Sequence, residues 1–116
     1  MAAPIGPYTP IVRAGDLLVC SGQLGAHAGV LVDGGVREQT RQAIANIAAL
    51  LEGEGATLAD VIKTTVFMTH MNDFAPVNEV YAECFGDYRP ARSAFAVAGL
   101  PLGGLVEIEA WAYRPQ

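Results

Sequence analysis

At 116 residues the chain has room for one domain spanning 1–116, in which roughly two thirds of the unfolded surface can be buried. A composition of 52% hydrophobic and 16% charged residues excludes a disordered chain, and is apolar enough that part of the excess belongs at a subunit interface. A net charge of −5, a pI near 4.8 and seven scattered Lys and Arg residues argue against binding to nucleic acid or to an anionic membrane surface.

Residues 1–10 carry Pro4, Gly6, Pro7 and Pro10 and read as an extended lead-in. This start lacks the basic and apolar segments of a signal peptide, and no stretch approaches about 18 uninterrupted apolar residues, so a cytoplasmic protein without a membrane span is expected. Ile11 to Arg13 and Leu17 to Ser21, joined by Ala14-Gly15-Asp16, read as a β-hairpin. Gly22 to Gly35 reads as loop, with the short apolar piece Val30-Leu31-Val32. Val36 to Glu52 is the clearest helix: Ile44, Ile47, Ala48 and Leu51 follow the helical spacing, and Gly53 and Gly55 stop it.

Val61 to Met68 is β-branched and predicts a strand. Asp73 then reads as the N-cap of a second helix, with Pro76 in its first turn. Phe74, Val77, Tyr81 and Cys84 form its apolar face, and Asn78 lies on that same face. Arg92 to Ala98 and Leu105 to Tyr113 are two more strands, joined by the loop Gly99 to Gly104. The order predicts an α+β layout, with both helices on one face of a mixed sheet. In the last strand Val106, Ile108, Ala110 and Ala112 should face the helices, and Glu107, Glu109, Trp111 and Tyr113 the other side. That second set, polar but aromatic, suits an interface or a cleft.

Chemistry centres on Arg92 and Glu107. A guanidinium on a strand needs a partner or a ligand. Pattern alone favours an ion pair to Glu107, Glu109 or Asp87; the alternative is a bidentate clamp for a small acid. Glu107 and Glu109, two apart on one strand, are either partly solvated carboxylates or a general acid or base in a dry pocket. Asn78 reads as a satisfied core asparagine, Tyr8 as an anchor or a lid over a pocket, and Gly22 as a turn or a point of close backbone approach. Ser21 and Ser93 lack the context of a hydrolase nucleophile, and Lys63 reads as a snorkelling strand lysine. His27 and His70 stand alone, and Cys20 and Cys84 read as buried thiols, so neither a metal nor a cofactor is expected.

The stretches Ile5-Gly6-Pro7-Tyr8, Ser21-Gly22-Gln23, Arg41 to Ile47, Lys63 to Phe67, Asn72 to Asn78, Pro90-Ala91-Arg92-Ser93 and Val106 to Ala110, in that order along nearly the whole chain, resemble the RidA/YjgF family of reactive imine and enamine deaminases. The resemblance implies a chorismate-mutase-like fold and a homotrimer, with sheets packed inward and active sites in the clefts between subunits. It implies that Arg92 clamps a substrate carboxylate with help from the Ala94 backbone N–H, a position often Cys in the family. Glu107 would position the attacking water; Tyr8, Ser21 and Asn78 would line the pocket, and Gly22 would contribute backbone. It further implies hydrolysis of 2-aminoacrylate and 2-iminobutanoate to 2-keto acids and ammonia. A specialised deaminase of a catabolic pathway, or a non-catalytic trimer that binds small acids or client proteins, are the alternatives. Ribonuclease activity has also been attributed to the family; the acidic charge argues against it here. The segment Phe85 to Arg89, beside the implied cleft, looks short against many relatives, which bears on pocket size and substrate preference.

Overall fold

The computed structural model describes residues 4–116; the first three residues of the lead-in lie outside the described residues. Its strands are β1 (Ile11–Ala14), β2 (Leu17–Leu24), β3 (Ala26–His27), β4 (Val30–Leu31), β5 (Val61–Met68), β6 (Ala91–Ala96) and β7 (Val106–Tyr113). The helices are α1 (Gly35–Glu52) and α2 (Phe74–Phe85). Five strands form a mixed sheet in the order β1-β2-β7-β5-β6, and β3 pairs with β4 as a separate small hairpin.

Side-chain alternation along β7 sets the orientation of the sheet. Val106, Ile108, Ala110 and Ala112 are fully buried, whereas Glu107 and Glu109 are half-buried and Trp111 and Tyr113 exposed. The neighbouring strands follow the same rule. Leu18 and Cys20 of β2, and Thr64, Val66 and Met68 of β5, point to the buried side, joined by Val61 across a register shift before Lys63. Against them pack Ala43, Ile44, Ile47, Leu50 and Leu51 of α1, spaced three and four apart, and Val77, Tyr81 and Phe85 of α2. Both helices therefore cover one face, as the sequence predicts.

α2 owes its place to topology. It is the crossover between β5 and β6, which run parallel, and such a connection packs back onto the sheet. After α1 the chain turns away at Gly55, whose φ of +76° lets the Ala56 N–H return to the Leu51 carbonyl at 2.9 Å.

Three local readings change. The expected loop after Ser21 holds the end of β2, which continues to Leu24 across a bulge between Cys20 and Gln23, and then the β3–β4 hairpin. Asp73 occupies the N-cap position but its side chain makes no capping bond, because a 3₁₀ turn at Met71–Asp73 already gives it helical dihedrals. β6 ends at Ala96, two residues earlier than expected.

The uncovered face carries Phe67 and Phe95, whose rings meet edge to face at 5.3 Å, together with Trp111 and Tyr113. Lys63 ends there in a 2.8 Å bond from Nζ to Ser93 Oγ. An exposed apolar face of this kind, rimmed by polar side chains, is the mark of an association surface. Among the described residues no helix is long and apolar enough to cross a membrane.

Candidate active site

Arg92 lies on the edge strand β6, in register with buried Thr64 of β5, and so points to the helix side of the sheet. Its Nη1 donates to Asn78 Oδ1 at 2.7 Å. The guanidinium carbon sits 5.0 Å from the centre of the Tyr81 ring and 5.6 Å from that of Phe74. The expected ion pair to Glu107, Glu109 or Asp87 does not form; among the described residues Arg92 has no carboxylate partner. Its remaining N–H donors make no hydrogen bond among the described residues, though the side chain is half-buried. A cation so placed keeps donors free that an incoming anion could take.

Asn78 is thus no mere core asparagine, since its carbonyl orients the arginine. Phe74, Asn78 and Tyr81, at i, i+4 and i+7 on α2, share one helix face. The sequence pattern places all three on that face but carries no sign that they meet Arg92. Ala94, two residues on from Arg92, shares its side of β6 and packs against the core.

Glu107 belongs to the other face. In register with Phe67 of β5, it projects to the uncovered side, where Gly22 leaves room for it. A Cβ on Gly22 would lie 2.9 Å from the Glu107 carboxyl carbon. The glycine therefore serves close approach as well as the bulge. Burial first, and the Glu109 carboxylate second, push the Glu107 carboxyl above its ordinary value. A cavity of about 390 Å³ opens beside it, lined in part by Tyr8, Gly22, Gln23, Leu24, Leu50 and Glu107.

Ser21 ties the lead-in to this region: its hydroxyl donates to the Thr9 carbonyl at 2.7 Å and its N–H to the Pro10 carbonyl at 2.8 Å. Those bonds hold Tyr8, 42% exposed, at the mouth of the cavity. Ser21 is not among the residues that line it.

The structure thus gathers the candidate residues into two half-sites. Arg92, Asn78 and Ala94 lie on the helix side; Glu107 projects to the open side beside Gly22, and Tyr8 lines the cavity next to them, which Leu50 of α1 also walls, with Ser21 holding the lead-in. β5 runs between β6 and β7, so Arg92 and Glu107 of one chain are neither neighbours nor on the same face. Among the described residues no three His, Cys, Asp or Glu side chains cluster to hold a metal ion.

The family model described as Endoribonuclease L-PSP matches residues 1–114. A RutC family protein of Pyrococcus horikoshii is 50% identical over 113 residues, covering 96% of this chain and 90% of that one. A bovine protein named 2-iminobutanoate/2-iminopropanoate deaminase is 46% identical over 114 residues, covering 97% of this chain and 83% of that one. The crystal structure of RidA from an Antarctic Psychrobacter superposes with a TM-score of 0.92 at 40% identity, covering 97% of this chain and 92% of that one. Fold, length and sequence agree, and the chain belongs to the Endoribonuclease L-PSP family, that of RidA and YjgF.

Proposed function

We propose that the protein hydrolyses 2-imino acids and their 2-amino-2-enoic tautomers, 2-iminobutanoate and 2-aminoacrylate among them, to 2-keto acids and ammonia. The observation that carries this is the half-buried Arg92 guanidinium, oriented by Asn78, with donors to spare and no carboxylate partner among the described residues. The bovine relative's name supports the same reaction class.

In this reading Arg92 grips the substrate carboxylate, and the Ala94 backbone N–H adds a second donor. Tyr8 covers the pocket and Ser21 holds the lead-in that carries it. Glu107 orients a water at the C=N carbon and takes its proton as the C–O bond forms. Glu107 returns that proton to the nitrogen, and as the carbinolamine collapses its hydroxyl proton passes to the nitrogen as well, so that the C–N bond breaks, the C=O forms and ammonia leaves. Every atom of the products comes from imine and water, so no cofactor is needed.

The two half-sites lie on opposite faces of one chain. They complete a site only if Arg92 of one copy meets Glu107 of another, which supports a homotrimer closed through the uncovered sheet faces with a site at each contact. The working compartment is the cytoplasm, in keeping with Cys20 and Cys84, both free, and a Cys20 thiol pushed by burial up to about 11.

The test generates 2-aminoacrylate and 2-iminobutanoate in place with a dehydratase and traps them with semicarbazide. The protein should suppress trapping and Arg92→Ala should not. If wild type leaves trapping unchanged, clearance of these imines is wrong, and a pathway-specific deaminase or a non-catalytic small-acid binder moves ahead.

A further inference from the structure

Arg92 stands on an edge strand and is held by a single side-chain bond, from Nη1 to Asn78. One bond leaves the guanidinium plane free to swing about it, and a swinging fork cannot offer two parallel donors to a carboxylate. Something else must set the plane. Tyr81 is 5% exposed and wedged between two partners, with the Phe85 ring 4.6 Å away at a tilt of 33° and the Arg92 guanidinium 5.0 Å from its centre. The Tyr81 hydroxyl meets Thr64 Oγ1 at 2.6 Å inside the core. Thr64 is the residue paired with Arg92 across β5 and β6, so the anchor of the ring and the root of the arginine grow from one rung of the sheet.

We propose that Tyr81, anchored by Thr64 and assisted by Phe74, is a positioning residue that fixes the plane of the Arg92 guanidinium and so sets affinity for the substrate's carboxylate, leaving the chemical step alone. This rests on Arg92 being the carboxylate-binding group. The ring does the positioning and the hydroxyl holds the ring. A phenol buried this deeply would be costly without Thr64, and the pair leaves neither polar group without a partner.

The variants are Tyr81→Leu, Tyr81→Phe and Phe74→Leu. Each is titrated by calorimetry with 2-oxobutanoate and with its uncharged amide, 2-oxobutanamide. The Nε–H signal of Arg92, identified by its loss in Arg92→Lys, is followed by ¹⁵N relaxation. Tyr81→Leu should weaken 2-oxobutanoate about tenfold, the scale of a desolvated cation–π contact, with the amide unchanged and the Arg92 Nε–H newly mobile. Tyr81→Phe keeps the ring but loses its anchor on Thr64, so it should recover most of the affinity and leave the Arg92 Nε–H partly mobile, between wild type and Tyr81→Leu. Phe74→Leu alters a partly exposed ring outside the core, so it carries the test if Tyr81→Leu fails to fold; it should give the same pattern at about threefold.

A measurable 2-oxobutanoate affinity that is equal in wild type and both leucine variants overturns the proposal. So does an equal loss for acid and amide, which marks general damage to the fold, or an Arg92 Nε–H whose motion never changes. If wild type binds no keto acid yet the Arg92 Nε–H is rigid there and mobile in the leucine variants, positioning of the guanidinium stands and Arg92 as the carboxylate-binding group falls, whereas failure of the trapping test removes the deaminase reading.

Discussion

The two half-sites of this molecule are built in opposite ways. Arg92 leaves an edge strand but leans on buried supports: Thr64 on the interior strand β5 and Tyr81 on the helix that crosses back over it, with half-buried Asn78 beside them. Glu107 leaves the middle strand β7, but its surroundings are irregular: a bulge with a glycine, a proline-rich lead-in held by Ser21, and a second carboxyl group on the same face. The contrast matches the division of labour proposed above for Arg92 and Glu107. A group that must hold a fixed charge gains from rigidity, because no energy is then spent on ordering it. A group that must gain and lose a proton gains from surroundings that keep its pKa off its ordinary value.

Each substitution tests one side of that contrast. The largest effect should come from Glu107→Gln, which keeps the shape and removes the proton acceptor. Turnover should fall on the order of 10²–10⁴-fold with KM little changed, read by steady-state kinetics on dehydratase-generated imine. Arg92→Ala should do the converse. Each charge-assisted bond lost is worth about 1.5–3 kcal/mol, so KM should rise roughly 10–100-fold while kcat holds. If both variants lose kcat alone, the division of labour is wrong.

Gly22→Ala probes the Glu107 side without touching a reactive group. The nearest atoms to the new Cβ would be Cδ, Oε2 and Cγ of the flexible Glu107 side chain, so the fold should survive with a little-changed Tm while the carboxylate is displaced. A shift of about 1 Å can cost up to 10²-fold in rate, and a drop in kcat of about 10–100-fold is expected. An unchanged kcat would mean that the position of Glu107 is not critical.

Much of this was legible in the sequence, for reasons particular residues make plain. The alternation Val106 to Tyr113 named the two faces of β7 because a strand has a strict period of two, and the structure keeps it residue for residue. The α1 stripe was legible through the spacing of Ile44, Ile47 and Leu51. Strand order was not. Arg92 and Glu107 lie on consecutive strands of the chain, which suggests neighbours, but β5 inserts between them because β6 joins β5 through the α2 crossover. Nor was the cluster around Arg92, since Tyr81 looked like one more apolar position on α2. Its partner Thr64, seventeen residues earlier, has no local signal in the sequence. A capping aspartate was expected at Asp73 because the 3₁₀ turn that displaces it has no mark in the residue types.

The smallest effect tests how the Glu107 half is tuned. Glu109 adds to burial in holding the Glu107 carboxyl above its ordinary value, so Glu109→Gln should move the acid limb of kcat/KM against pH to lower pH. The same shift has a consequence for stability. Since the folded carboxyl has the higher pKa, its contribution is full below the unfolded pKa and is lost as pH rises through the folded one. Ionised Glu107 therefore weighs against folding at neutral pH. Glu107→Gln should raise Tm at pH 7, by an amount on the order of a degree for a half-exposed group, with the gain vanishing as pH falls below about 4. A gain that persists in acid would mean that Gln simply packs better, and that the environment of Glu107 is not held in tension for its chemistry.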